Sequence, residues 1–528
     1  MKNKFWQNGE PFVWGTGAAL TLILLLTFYL LFIIFKNGIA VYWPCPLVLF
    51  DMEDGSSYLG EVVKDNEYDN KLRHQVKIAN RDLYSLDFKW IDASAISQKS
   101  TPKDATVLER DEYGNFHGFL SSLNLPNLSV KDGVLWPRFT AALAALAPDT
   151  AKIEDIQDEL KRLNYRLERL DLKIAKRTYD GEVGTPVLLD LMKKKESLHH
   201  DFDLLVARLA SLEAKLLKNT ALFKDATGQE QVIPLASIVR AYRPNDMSVF
   251  AKAFIYLDKV WELFFAEPRE SNTEGGLFPA IFGTIILIFI MSILSFPLGV
   301  LAGIYLREYA KEGFLVRLVR IAVNNLAGIP SIVYGIFGLA FFVYGIGSSI
   351  DQLFFPQYLP APTFGTGGIL WASLTLGLLT VPVVIVATEE ALGAIPSGLR
   401  ESSFALGSTK FQTLTRILLP MASPGIMTGF ILAMARAAGE VAPLMITGVV
   451  KLAPSLPLDA NFPFFHLDRK FMHLGFHIYD IGFQSPNVEA AKPMVFVTTL
   501  LLLGIVILMT SSAIVLRNKM KKKFAVTH

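Results

Sequence analysis

The chain has 528 residues, of which 52% are hydrophobic and 19% are charged. That composition is too apolar for an ordinary soluble chain of this length, and a net charge of +2 gives no general attraction to nucleic acid. The single cysteine, Cys45, excludes an intrachain disulfide. The sequence contains neither the glycine-rich loop of nucleotide hydrolases nor a Cys/His cluster with zinc spacing, so ATP-driven work would require another chain.

The first predicted element is a membrane-spanning helix. The run from Val13 to Phe35 carries no charge and is long enough to cross a bilayer. Lys2 and Lys4 precede it, which favours a cytoplasmic N-terminus within segment 1–36. The alternative is a cleaved signal peptide, but the run exceeds the roughly 7–15 apolar residues of such a segment. We therefore expect an uncleaved anchor.

A domain outside the inner membrane is predicted over 37–276. Short alternating runs are separated by turn signals at Asp-Gly, Asn-Arg-Asp and Tyr-Gly-Asn, which indicate three β-hairpins. An Asp-Ala-Thr-Gly turn further along predicts a returning hairpin that completes the same β-structure. We expect a periplasmic β-rich domain over 47–145 and 220–244.

An antiparallel coiled-coil hairpin is predicted over 151–218, inserted into that β-domain. Apolar residues there recur at alternating spacings of three and four, and Lys195 interrupts the series. Such a hairpin serves equally well as an arm that reaches a partner or as a spacer. The series are Ile153, Ile156, Leu160, Leu163, Leu167, Leu170, Ile174 and then Leu188, Leu191, Leu198, Phe202, Leu205, Leu209, Leu212, Leu216.

The segment Asn245–Glu274 is predicted to form a helix and a linker back to the membrane. Its stretch FIYLDKVWELFF is amphipathic and rich in aromatic residues. This pattern suits a helix on the membrane surface, and it suits an ordinary packed helix equally well.

Five further spans complete a mainly α-helical membrane protein. Basic residues cluster after the second and fourth spans and in a basic tail over 517–528, so six helices with both termini cytoplasmic satisfy the positive-inside bias. The core of five helices is predicted over 277–516. Its spans are approximately 277–306, 321–346, 368–387, 421–448 and 493–516.

The polar segment 389–420 is predicted to form two short cytoplasmic helices. Ser397 is expected to cap the first, Gly407 to end it in a left-handed conformation, and Ser408 to cap the second, with Pro420 opening the next span. Its apolar side chains must be buried against a partner or against the chain's own bundle. They are Leu399, Phe404, Leu406, Phe411, Leu414 and Leu418.

This segment resembles the EAA motif of ABC importer permeases, with two serines at the alanine positions. In that family the motif forms a coupling helix that docks on the ATPase subunit. The resemblance implies coupling residues Glu401, Ser402, Ser403, Phe404, Gly407, Phe411, Ile417, Leu419 and Pro420.

A narrower resemblance covers 322–447. The stretches NNLAGIPSIVYGIFGLAFF, TVPVVIVATEEAL and ARAAGEVAPLMITG are similar to the A-type permease subunits (PstA) of ABC phosphate importers. The likeness implies inorganic phosphate as cargo, no enzymatic activity and no cofactor in this chain. It also implies a second permease subunit, a dimeric ATPase and a periplasmic phosphate-binding protein. The likeness does not extend over 39–274.

Arg436 and Glu440 are the residues expected to line the substrate pathway. Their spacing of four places them on one helix face, and a charge at that depth needs water or a partner. The forked guanidinium suits phosphate, and a carboxylate can accept a hydrogen bond from the proton that phosphate retains and sulfate lacks. The alternative is a structural ion pair.

Two other functions remain open at this point. One changes the cargo to molybdate, sulfate or another small oxyanion. The other is an envelope scaffold or phosphate sensor that works through the predicted coiled coil.

Overall fold

The computed structural model describes residues 6, 9–68, 71–84, 86–126, 134–269, 272–459, 462–485 and 488–524. The chain divides into two compact units. The first, here called the membrane unit, comprises Met1–Val41, Leu277–Ile350 and Thr363–His528. The second, here called the extra domain, comprises Tyr42–Gly276 and Asp351–Pro362.

The membrane unit begins with helix α1, Glu10–Ala40, which contains the whole of the predicted first span. Its side chains are exposed over nearly the whole length, and Gly38 is the buried residue. A Cβ on Gly38 would lie 3.1 Å from Leu500 and 3.2 Å from the carbonyl oxygen of Phe496. This close approach joins α1 to the last helix of the chain.

Two antiparallel five-stranded sheets form the β-part of the extra domain, with strand orders β4-β3-β2-β1-β5 and β10-β6-β7-β8-β9. The three hairpins predicted at turn signals are present as the pairs β1–β2, β3–β4 and β6–β7. The short helix α2, Arg81–Tyr84, lies between β3 and β4. The strands are β1 Leu47–Met52, β2 Ser57–Tyr68, β3 Lys71–Lys77, β4 Phe88–Asp92, β5 Ile96–Ser100, β6 Thr106–Arg110, β7 Phe116–Asn124, β8 Thr220–Lys224, β9 Glu230–Pro234 and β10 Ile238–Tyr242.

Two long helices are inserted between β7 and β8, which pair directly with each other. They are α3, Leu135–Tyr179, and α4, Pro186–Leu216, and they pack together. The predicted heptad positions of α4 are all buried or half-buried. Lys195, which interrupts that series, forms an ion pair with Asp171 of α3 at 2.5 Å.

The prediction that β-structure extends to residue 145 is wrong, because α3 already begins at Leu135. Phe139, Ala142 and Leu146 are buried against the second sheet, and the rings of Phe139 and Phe223 lie 5.7 Å apart. Their spacing is helical, and Pro148 is tolerated inside the helix.

The extra domain ends with helix α5, Val249–Phe265, and a two-stranded ribbon of β11, Pro268–Arg269, and β12, Glu274–Gly275. Ser248 caps α5 by accepting a hydrogen bond from the backbone of Ala251. The Asp351–Pro362 segment belongs to this domain, where its turn Pro356–Tyr358 packs against α3.

The described residues contain six helices that are long and apolar enough to cross a membrane. The third begins at Ser331 rather than near residue 321, because Phe314–Leu326 forms a separate helix that stops before Pro330. The helices are α6 Phe278–Ile304, α7 Phe314–Leu326, α8 Ser331–Phe337, α9 Ser348–Phe354, α10 Ile369–Gly393, α11 Ser397–Ala405, α12 Lys410–Thr413, α13 Leu419–Gly439, α14 Ala442–Thr447, α15 Leu474–Tyr479 and α16 Val488–Phe524. Segments of π-helix cover Tyr305–Tyr309, Gly338–Gly347, Leu414–Leu418 and Asp480–Gln484.

Helix α10 packs against both α6 and α13 in the membrane unit. A Cβ on Gly299 of α6 would lie 2.7 Å from the Cβ of Val384 in α10, so this position needs a glycine for the helices to meet so closely. The basic residues from Arg517 to Lys523, predicted as a separate tail, continue the last helix α16.

Candidate functional site

The segment 389–420, here called the coupling segment, contains the two short helices α11 and α12, with Gly407 in the turn between them. The φ of Gly407 is +83°, so the left-handed turn predicted from the sequence is present. The cap residues differ from the prediction: α11 follows Pro396, and α12 is capped by Thr409. Thr409 forms a capping box with Gln412, which satisfies two backbone donors at once.

The second short helix does not end before the next span. Helix α12 continues through the π-helical segment Leu414–Leu418 into α13, so one apolar helix runs over Lys410–Gly439. Pro420 lies in the first turn of α13 without breaking it. Pro420 therefore opens α13 as predicted, and one continuous helix joins the coupling segment to Arg436.

The apolar side chains of the coupling segment divide into two groups. Leu414 and Leu418 are buried in a cluster with Ile304, Leu392 and other residues of the bundle, which is the second of the two predicted alternatives. The others remain between 37% and 87% exposed and form what we call the coupling surface. The coupling surface consists of Leu399, Phe404, Leu406 and Phe411.

Ser403 faces inward and is excluded from that surface. Its hydroxyl forms a buried hydrogen bond of 2.8 Å with the Thr413 hydroxyl, which fastens α11 to the start of the long helix. Glu401, Ser402 and Gly407 are exposed. The remaining predicted coupling residues, Ile417, Leu419 and Pro420, are half-buried in the helix that enters the bundle.

Arg400 fastens the coupling segment to the bundle. Its guanidinium donates to Glu308 at 2.7 Å and to the carbonyl oxygens of Leu392 and Ile395, each at 2.8 Å. The two carbonyls belong to the end of α10 and to the turn that follows it. Sequence reasoning missed this arrangement because Arg400 and Glu308 lie 92 positions apart.

A second arginine ties neighbouring segments together at the same end of the bundle. Arg320 of α7 donates to Glu389 of α10 at 3.1 Å, to Glu312 at 3.0 Å and to the carbonyl oxygen of Leu306 at 3.1 Å. The ends of α6, α7 and α10 are thus cross-linked by charge-assisted hydrogen bonds, which makes a firm support for the coupling surface.

Arg436 and Glu440 form a much looser pair. The Nε of Arg436 lies 3.7 Å from Oε1 of Glu440, and their side chains are 34% and 20% exposed. Glu440 does not share the helix face that was predicted, because α13 ends at Gly439 and Glu440 adopts an extended conformation. This separation is too long for a hydrogen bond between the two side chains.

The neighbours of Arg436 are small residues and open space. Ala437 and Ala438 are buried in the bundle, whereas a Cβ on Gly439 would meet no atom within 4 Å. The position three residues beyond Arg436 is therefore open.

Helix α14, which follows Glu440 closely, packs against α8. A Cβ on Gly335 would lie 2.8 Å from the Cα of Pro443, so α8 and α14 meet nearly backbone to backbone. Gly448 then turns the chain with a φ of +144°. No group of three His, Cys, Asp or Glu side chains among the described residues is arranged to hold a metal ion.

Comparison with known proteins gives the family. Residues 295–522 match the model of the binding-protein-dependent transport system inner membrane component. The Bacillus subtilis probable ABC transporter permease protein YqgI is 31% identical over 223 residues, which cover 41% of this chain and 70% of YqgI. The chain belongs to this family of permeases. It is therefore a multi-pass membrane component of a transport system.

Other relatives match a smaller share of their own length. The permease is 37% identical to the phosphate transport system permease protein PstA 1 of Mycobacterium tuberculosis over 185 residues, covering 35% of this chain and 54% of that protein. It thus spans about half the length of the first relatives it matches. A chain of the inward-facing MetNI methionine ABC transporter aligns with 50% of this chain over 98% of its own length, at 21% identity and a TM-score of 0.34.

Proposed function

We propose that this permease is a membrane subunit of an ATP-driven importer of inorganic phosphate. The observation that carries the proposal is the coupling surface, which exposes four large apolar side chains on a firmly supported segment. Exposed apolar patches of this kind mark protein interaction sites. The partner we infer is a separate dimeric ATPase, and the name of the mycobacterial relative supports phosphate as the cargo.

Force from the ATPase would reach the substrate pathway along one helix. Phe411 and Arg436 lie on the same continuous helix, 25 residues apart, which corresponds to about 38 Å. The Ser403–Thr413 hydrogen bond links α11 to that helix, so displacement of the coupling surface would move both together. Closure of the ATPase dimer would thereby reorient the end of α13.

At that end, Arg436 would attract the anion and Glu440 would select it. The guanidinium donors are not consumed by the loose pair, and a forked donor set matches two phosphate oxygens. Phosphate at neutral pH still carries a proton that Glu440 can accept as a hydrogen bond. A fully deprotonated oxyanion such as sulfate would be repelled by the same carboxylate.

Replacement of the carboxylate tests this selectivity. In Glu440→Gln, sulfate is expected to compete with labelled phosphate, because the repulsion is gone while the size of the side chain is kept. The measurement is uptake of labelled phosphate with increasing unlabelled sulfate, with wild type as control. Unchanged resistance to sulfate in the variant would contradict the role of Glu440.

The remaining assembly follows from the same proposal. The permease would pair with a second permease subunit and receive phosphate from a periplasmic binding protein. Both termini would be cytoplasmic, and the extra domain, with α3 and α4 as an antiparallel coiled coil, would lie in the periplasm. The packing of the Pro356–Tyr358 turn with α3 supports this topology, since six alternating spans place both segments on one side.

Co-purification tests the coupling surface. The double variant Phe404→Ala and Phe411→Ala is expected to lose the ATPase from the purified complex and to lose phosphate uptake, because the apolar contact area is removed. Phe483→Ala is the matched control, since Phe483 is also strongly exposed but lies after α14. Retention of the ATPase by the double variant, at normal membrane abundance, would overturn the proposal.

A further inference from the structure

Helix α5 of the extra domain is amphipathic, but its apolar side and not its charged side is exposed. Its charged side faces its own domain, and its large apolar side chains face outward. Those side chains are between 40% and 82% exposed even with the whole chain present. At 100° per residue they fall within an arc of about 100°, which is one continuous stripe. The stripe consists of Phe250, Phe254, Leu257, Trp261, Phe264 and Phe265.

The opposite side of α5 is occupied by ion pairs to the second sheet. Lys259 pairs with Glu109 of β6 at 2.5 Å, and Glu262 pairs with Arg240 of β10 at 3.1 Å. Arg240 also bonds to Glu109, which joins the two strands to the helix. Because these charges are satisfied within the domain, α5 cannot rotate to bury its stripe against the sheet.

The N-terminal half of α5 contacts a residue that follows α1 closely along the chain. Trp43 follows the last residue of α1 by three positions, so it lies within about 11 Å of Ala40. Its ring contacts the ring of Tyr256 on α5, with centroids 6.2 Å apart. Asn245, just before α5, also bonds to the backbone of Leu47 in both directions, at 2.9 and 2.7 Å.

The C-terminal end of α5 contacts a residue that comes directly before α6 along the chain. Gly276 precedes the first residue of α6 by two positions. A Cβ on Gly276 would clash with the carbonyl oxygens of Glu262 and Ala266, so the chain passes directly against the end of α5. Gly276 also donates its backbone N–H to the carbonyl of Glu267 at 3.0 Å.

We propose that the apolar stripe of α5 lies in the interfacial layer of the membrane, with lipid as its partner. Both ends of a helix of about 25 Å are tied within a few residues of two membrane spans, so α5 must lie near the bilayer surface. Tryptophan and phenylalanine are the side chains that favour this layer. The stripe would fasten the extra domain to the bilayer at the level where the chain leaves and re-enters it.

Spin labels on the full chain in lipid nanodiscs test this placement. In a Cys45→Ser background, which removes the single native cysteine, labels are attached at Phe254→Cys and at Trp261→Cys. Leu25→Cys of α1 is the lipid-facing control, and exposed Leu189→Cys of α4 is the water-facing control. The measurement is the accessibility of each label to oxygen and to a water-soluble nickel complex.

The stripe labels are expected to show an oxygen-to-nickel ratio several-fold above that of the Leu189 control and towards that of Leu25. A ratio equal to that of Leu189 would overturn the proposal. Low accessibility to both reagents would also overturn it, because a protein surface and not lipid would then cover the stripe.

A second measurement avoids cysteine variants. Lipids brominated near the headgroup quench tryptophan emission only at short range, so wild type is compared with Trp261→Phe, which keeps an apolar ring. The variant is expected to lose part of the quenchable emission. An unchanged quenchable fraction would count against lipid contact at this residue.

Discussion

Two arginine–glutamate pairs of the membrane unit have opposite characters. Arg400 donates a hydrogen bond of 2.7 Å to Glu308 and donates to two backbone carbonyls as well. Arg436 approaches Glu440 only to 3.7 Å and lies beside open space at Gly439. The first pair has most of its hydrogen-bonding capacity satisfied by the protein, whereas the members of the second pair are too far apart to hydrogen-bond to each other.

Under the proposed function, this difference separates a structural role from a binding role for the same two residue types. A buried ion pair contributes to stability only when geometry and further hydrogen bonds compensate for lost hydration. The Arg400 site meets that condition and supports the coupling surface. The Arg436 site does not, which agrees with the anion-binding role that we propose for it.

Matched removal of the two carboxylates gives the largest expected difference. Glu308→Gln should destabilise the membrane unit by about 3 kcal/mol, because it leaves Arg400 without its counter-charge. Glu440→Gln should have little effect on stability, since its pair is loose. Heating the solubilised full chain and following its monodisperse fraction compares them. Equal loss of stability in both variants would refute the distinction.

Glu109 of the extra domain also forms close ion pairs, with Lys259 and Arg240. Burial alone would raise the pKa of Glu109, but Lys259 and Arg240 outweigh it and hold that pKa below its usual range. Glu109→Gln should therefore destabilise the extra domain by about 2–3 kcal/mol at neutral pH. Proteolysis of the full chain after exposure to graded urea measures this change.

The pH dependence of that effect has a definite sign. A carboxyl whose pKa is lower in the folded chain stabilises the fold above the unfolded value of about 4.3. The stabilisation is lost as the pH falls through the folded-state pKa. The difference between wild type and Glu109→Gln should accordingly shrink below about pH 4. A difference that is constant from pH 7 to acid would contradict the ion-pair origin.

The smallest expected effect concerns two adjacent serines. Ser403→Ala removes the buried hydrogen bond to Thr413 and should cost about 1 kcal/mol of stability. Ser402→Ala is the matched control, because Ser402 is exposed on the same helix and should change nothing. If both substitutions are equally neutral, the link between α11 and the long helix is weaker than its geometry indicates.

Local patterns predicted much of this molecule. The structure contains the three predicted hairpins, the left-handed turn at Gly407 and the two long helices. Each of these features depends on residues that are close together in the sequence. The predicted bounds of the β-region were wrong because they depend on packing between residues that are far apart in the sequence. Residues 135–145 are helical because Phe139 reaches the core of the second sheet, which the local sequence does not reveal.

The candidate site was predictable in residue identity but not in arrangement. Arg436 and Glu440 stand out as charges in an apolar run, yet the helix ends at Gly439, before Glu440. Ser403 faces inward because Thr413 lies opposite it across the Gly407 turn. The contact of Arg400 with Glu308 joins distant segments, so no spacing rule could reveal it.

The most direct test of the proposed function is uptake of labelled phosphate by Arg436→Ala in cells with matched membrane abundance. We expect a loss of roughly 10- to 100-fold, equivalent to one charge-assisted contact, with the ATPase still bound. Arg317→Ala, an exposed arginine of α7, should transport normally. Normal uptake by Arg436→Ala would contradict the assignment of this residue to the substrate pathway.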